Sequence, residues 1–396
     1  AAFAALERLS GRAKAAKKVY LACFQSGEVD WSAQDAAVPA GLLELVLGVS
    51  QLELEETSST RKSSSSSISF LTPISMLSLL RATPEGVHAA ARCVFFLGSR
   101  GKIPLVAPTS ANSSSSSSIK QPEEEIIVAR RGYQDTVLRL LRAGPETLDS
   151  QHAAAVVSTA AAAELIFAAC INNIGGGVTA ALALYKQVIE AVSASSSSSS
   201  MFLERIVIQR CALAVNAAVH AVHVVPPTLA REILSSAMQR YPSSPPLLRM
   251  LRSLEVNAHA LTALRRQLNS LLSSSPSAPA WLMLIGVEIG ANASRTAILT
   301  AFMRAVTSSP SGMHSPLLWR CFLRFERAFG TPESLHRTFL RAVEACPWSK
   351  SVWYDGLKLL NGYCSPKELS EYLEILKNKE FPMRTDVLEA VLAGLE

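Results

Sequence analysis

The chain has 396 residues, 49% of them hydrophobic and 18% charged, which is ample for a core and fits either about two or three globular domains or one elongated array. Its net charge of +6 and pI near 9.0 permit contact with nucleic acid or an acidic peptide without requiring it. The seven cysteines show no C-x-x-C pair and no metal-ligand spacing, which excludes a zinc or disulfide framework and leaves the reduced, buried thiols of an intracellular protein. So apolar and alanine-rich a chain also predicts some surface that awaits a partner.

In chain order, residues 1–27 read as the end of one helical repeat, with a partial helix over 1–10 and a second over 12–25. The chain opens at Ala1 without a methionine and is read as a fragment. Lys14, Lys17 and Lys18 lie along one polar side, a solvated face. Trp31 begins the next unit, whose apolar run from Gly41 to Leu54 is helical. Flexible serine-rich loops are expected near 57–68, 102–120 and 193–200, with another helix pair, 70–81 and 84–97, between the first two. From Pro122 the pattern resumes over 123–141, 145–148 and 151–171. The last stretch is alanine-rich, and a membrane span is rejected for it because alanine contributes little to insertion and Glu164 would cost about 2.5–3.5 kcal/mol at mid-membrane.

Gly175-Gly-Gly177 reads as a turn leading to a helix over 178–192. It follows a helix and lacks a Gly-Lys-Ser/Thr completion, so a phosphate-binding loop is set aside. A long apolar helix over 201–224 carries His220 and His223, which without a third ligand nearby are core or interface histidines. Pro226-Pro227 starts the next helix and Tyr241-Pro242 ends it. Pro246-Leu-Leu-Arg249 echoes Pro316-Leu-Leu-Trp319 with arginine in place of the tryptophan.

The unit over 316–347 is the clearest. Trp319, Phe322, Leu323 and Phe325 form one helix face; Gly330 ends that helix as a cheap left-handed residue; Leu335, Phe339, Leu340 and Val343 line a second helix, which Pro347 stops. Two such helices cannot bury both stripes alone, so copies must stack. The step from a glycine to an aromatic nine residues on recurs at Gly11–Tyr20, Gly86–Phe95, Gly176–Tyr185 and Gly330–Phe339. Tryptophans recur at Trp281, Trp319 and Trp353, and the first two are followed seven residues later by Glu288 and Glu326. Residues 371–396 read as a terminal cap. The expected fold is all-α, one continuous right-handed α-solenoid of helix pairs over 1–396.

These residues resemble the half-a-TPR (HAT) repeat, with Trp and Glu on its first helix and Ala-Arg-x-Ile/Val-Tyr/Phe on its second. The C-terminal stretches Ser315–Glu326, Arg341–Lys350 with its Cys346-Pro-Trp348, and Glu371–Glu380 resemble the end of the nuclear-RNAi-defective-two proteins. That resemblance implies a nuclear protein whose partners are the RNA helicase of the nuclear exosome and splicing factors, with roles in RNA surveillance, splicing and, in some lineages, small-RNA-directed silencing. It also implies that the helicase-contacting segment lies N-terminal to these repeats. Leu182, Leu299 and His336 stand where the repeat carries arginine, so those repeats are expected to lack its ion pair.

No Walker motif, nucleophile elbow, H-E-x-x-H or zinc-finger spacing is present. Ser59-x-x-Lys62 sits in a serine tract that nothing orders. Glu288 and Glu326 lie about 20° from the Trp face and are expected to pair with a second-helix arginine such as Arg304 or Arg341. The chain is therefore read as a non-enzymatic interaction scaffold without metal or cofactor. Arg320, Arg324 and Arg327, at i, i+4, i+7, are its candidate partner-binding residues, a solvated face being the plainer reading. With Trp319, Phe322 and Phe325 held in the core stripe, base stacking is unsupported and RNA contact is indirect. The alternative is a HAT-repeat RNA-processing factor of another family that contacts RNA directly through its basic faces. Oligomeric state is left open.

Overall fold

The computed structural model describes residues 94, 121–143, 150–171, 173–194, 200–220 and 225–378. The expectations for Tyr20, Phe95, His223, the lysines 14, 17 and 18, the first two serine loops and residues 379–396 lie outside them. Among the described residues every regular element is an α-helix: α1 Gln121–Ala143, α2 Ser150–Cys170, α3 Ile174–Ala194, α4 Ser200–His220, α5 Pro227–Arg240, α6 Pro245–Asn257, α7 Leu261–Ser274, α8 Ala278–Gly290, α9 Arg295–Ser308, the single turn α10 Pro310–Met313, α11 Pro316–Phe329, α12 Pro332–Ala345, α13 Lys350–Leu360 and α14 Pro366–Asn378. Within each unit most helices pack against the next through short turns, as the all-α, TPR-like helix pairs of a solenoid. The chain divides into two compact units, one up to Tyr241 with Met250–His259, the other of Pro242–Arg249 and everything from Ala260.

In the first unit α2 is the core helix, enclosed by α1, α3 and α4. Its Ala153–Cys170 segment is long and apolar enough to cross a membrane, with mean hydropathy 1.8, yet 89% of it is buried inside the protein. Alanines at 160, 161, 162, 163 and 168 let its neighbours approach on every side, while Ile166 and Phe167 fill the remaining space. The triple glycine is not a free turn: α3 already begins at Ile174. A Cβ on Gly177 would fall on Ala168 Cβ and lie 2.9 Å from the Glu164 carbonyl. The glycine is there for a close helix crossing, which spacing alone does not reveal.

The second unit is built around α11. Ser315 caps it through a bond from Leu318 N, and Pro316 opens its first turn. Leu318, Trp319, Phe322, Leu323, Phe325 and Glu326 are buried, at the spacing of one helix face. Phe302 of α9 stacks on Phe322 at 4.9 Å between ring centroids and leans on Phe325 at 5.4 Å. Helix α12 starts with a capping box between Thr331 and Ser334. Its buried face is Leu335, Thr338, Phe339 and Ala342, whereas Leu340 is 47% exposed. Leu340 therefore leaves the expected stripe, because position 338 rather than 340 completes the face toward the core. Phe339 lies against Gly356 of α13, where a Cβ would enter its ring, and meets Trp353 and Tyr372 edge-on. The small-against-bulky pairing thus works between adjacent helices.

Gly330 is a second correction. Its φ of −90° and ψ of −174° are extended, not left-handed. Space dictates the residue, since a Cβ would collide with the Glu326 carboxylate and carbonyl. The left-handed residues at the equivalent position, four after each repeat glutamate, are His259 (φ 52°) and Asn292 (φ 51°). The same register corrects the echo at Pro246. Counting seven back from Glu255 puts Leu248, 1% exposed, in the tryptophan's place, and leaves Arg249 on the surface.

Candidate interaction surface

An arginine–carboxylate ladder organises the helix pairs. Arg130 of α1 grips Glu164 of α2 with Nε and Nη2, at 3.0 and 2.7 Å to its two oxygens. Arg231 of α5 holds Glu255 of α6 at 2.7 and 3.0 Å. Arg265 of α7 holds Glu288 of α8 at 2.8 Å through both nitrogens. Each is a two-point, charge-assisted contact. Glu255 is fully buried, and its bond keeps the Arg231 guanidinium pKa above the ordinary value. The expected pairing with a following-helix arginine is therefore reversed. In a helical hairpin the end of one helix lies beside the start of the one before it, so Glu288 meets Arg265. Arg304, late in α9, lies instead over the Trp281 ring near the start of α8, at 5.5 Å, and Arg341 reaches Met303 Sδ at 3.5 Å.

Where Leu299 replaces the arginine, Glu326 accepts a 2.6 Å bond from Ser334 Oγ. Where His336 does so, its Nε2 lies 2.7 Å from the Tyr372 hydroxyl. The repeat tryptophans also differ. Trp319 and Trp353 donate Nε1 to the carbonyl six residues earlier, Met313 at 2.7 Å and Pro347 at 3.3 Å; the buried Trp281 Nε1 has no acceptor. Tyr185 is buried in α3, and burial raises its pKa.

The arginine stripe of α11 is engaged by neighbouring residues of the same unit. Arg320 and Arg324 both donate to Asp355 of α13, at 2.6 and 3.3 Å, and Arg327 sits 4.1 Å over the Tyr363 ring. The stripe braces α11 against α13 and the turn after it, while Arg324 and Arg327 stay exposed to solvent. Burial raises the thiol pKa to about 11 at Cys170 and about 12 at Cys211. At Cys321 burial outweighs the pull of Arg324 and Arg320. Cys346 of the Cys-Pro-Trp motif donates Sγ–H to Met313 O at 3.7 Å, and Trp348 packs on His314 at 5.8 Å. The motif stitches two inter-helix turns together while Trp348 stays 58% exposed, a surface role that the apolar pattern did not signal. Among the described residues no cluster of three or more His, Cys, Asp or Glu could hold a metal.

Fold and ladder together define an all-α, TPR-like helical-repeat protein. No protein-family model matches the chain. It is similar to the nuclear exosome regulator NRDE2 of Homo sapiens, 28% identical over 191 residues, which cover 43% of this chain and 16% of the relative. With the Mus musculus protein of the same name it shares 27% identity over 182 residues, 41% of this chain and 15% of the relative. The matched stretch is thus a small part of these relatives' length. Among solved structures, a chain of "Structure of Naa15/Naa10 bound to HypK-THB" aligns with 94% of this chain and 56% of its own, at 14% identity and a TM-score of 0.30.

Proposed function

We propose that the chain is a non-enzymatic interaction scaffold in nuclear exosome regulation and RNA processing, working in the nucleus. The observation that carries this reading is its similarity to two relatives named nuclear exosome regulators. The chemistry of the described residues agrees with it. The arginines and carboxylates that stand out are used in holding helix to helix, and burial keeps the thiols protonated. The partners that this reading favours are the exosome's RNA helicase and splicing proteins.

The test is a pull-down from nuclear extract with RNase treatment and mass spectrometry. RNase-resistant recovery of the helicase or splicing proteins is expected. Recovery of RNase-sensitive partners alone would replace the scaffold by a direct RNA contact.

A further inference from the structure

In the first unit a cleft of about 170 Å³ opens between α3, α4 and α5, floored by Val207, Ile233 and Ala237 and rimmed by Arg210, Ser236 and Arg240. Pockets that enclose whole small molecules measure roughly 300–1,000 Å³. This one has room for a single side chain, and its floor is apolar. Ser236 and Arg240 are exposed, so the cleft is reached from solvent.

Arg210 is the unusual member. Its Nε–H is buried and has no acceptor. Glu190 attracts it through space but lies 3.8 Å from Lys186. In Arg130, Arg231, Arg265 and Arg320 the same Nε–H is given to a carboxylate, at 3.0, 2.7, 2.8 and 2.6 Å. A buried guanidinium N–H without an acceptor is costly, and a carboxylate is the acceptor that this geometry fits best. A neutral nucleobase would bring no charge to Arg210, and a phosphate would leave the floor uncovered.

We propose that this cleft docks an acidic–aliphatic segment of a partner protein. One aliphatic side chain fills the floor, and a neighbouring Asp or Glu carboxylate pairs with the Arg210 guanidinium, with Arg240 adding positive charge at the rim. This deepens the scaffold reading and rests on it, giving that reading a surface and a ligand class.

The test uses the whole chain on an array of peptides that place Asp or Glu beside Leu, Ile, Val or Met in a Gly-Ser background, with Asn, Gln and Lys at the acidic position as controls. Retention on acidic–aliphatic spots is expected to fall about tenfold or more in R210Q, which removes the guanidinium and its charge, and in S236W, which plugs the cleft, with Tm unchanged in both. Equal retention on the neutral controls, or retention indifferent to both substitutions, overturns the proposal. Binding of a single-stranded RNA oligonucleotide that depends on Arg210, without retention on the acidic spots, overturns it too and assigns the site to phosphate. The scaffold reading fails separately. RNase-resistant capture from nuclear extract with no acidic spot retained sinks the cleft alone, and retention that depends on Arg210 without such capture sinks the scaffold role while the cleft stands.

Discussion

At the scale of the residue, the ladder sets the largest stakes. Glu255 is fully enclosed and its charge is satisfied by Arg231, so Arg231→Gln strands a buried carboxylate and should destabilise the fold by about 3–5 kcal/mol. Pairing it with Glu255→Gln should recover much of that loss, because the amide needs less solvation. Urea unfolding of the two variants measures both effects; a single variant within about 0.5 kcal/mol of the parent would mean that Glu255 finds another partner. Arg320 and Arg324 are different: they share the partly exposed Asp355, and such pairs contribute about 0–1 kcal/mol. Glu288 and Glu326 were legible in the sequence from their fixed distance to tryptophan, whereas Glu164 and Glu255, with Val157 and Leu248 seven residues before them, were not. Their arginine partners were not, because spacing along one helix is silent about which neighbour stands beside it.

Among the elements, α11 tests the repeat most directly. Trp319 is 2% exposed, stacks on Phe322 and anchors the turn through Met313 O. Trp319→Ala should cost about 3–5 kcal/mol, read by urea unfolding, and a loss under about 1 kcal/mol would contradict its burial. Helix α14 carries a pH-dependent start. Ser365 N–H and Oγ–H both donate to the Glu368 carboxylate, at 2.8 and 3.1 Å, holding its pKa below the ordinary 4.5. A carboxyl with a depressed folded-state pKa stabilises the helix above its unfolded value, and that contribution disappears as pH falls through the folded one. Protection of α14 amides should therefore drop between about pH 5 and about pH 3 in the parent. Glu368→Gln should show a smaller drop, measured by hydrogen exchange corrected for intrinsic rates. The helices themselves were legible because apolar residues recur at the helical period. Their packing partners were not: Gly177 reads as part of a turn until the opposing Ala168 is seen.

For the whole molecule, the two units have different cores. The first is built on a helix of alanines packed by its neighbours, the second on stacked aromatics. Within the first unit α2 should hold the slowest-exchanging amides, since 89% of its apolar segment is enclosed. Hydrogen exchange with mass spectrometry checks this, and faster exchange in α2 than in α5 would mean that its enclosure is lost in solution. The all-α repeat class was legible from the recurrence of Trp, Glu and aromatic positions. The cleft at Arg210 was not, because its residues come from three helices and Arg210 itself stands outside the repeat signature.

Gly330 carries one consequence that reaches down to stereochemistry. An L-residue there has an allowed backbone but no room, its Cβ colliding with Glu326. A D-residue would project the other way, yet φ −90° with ψ −174° is for it the mirror of a region that L-residues other than glycine all but avoid. One hand is excluded by volume and the other by torsion. The position admits only an achiral residue, and the two reasons are independent.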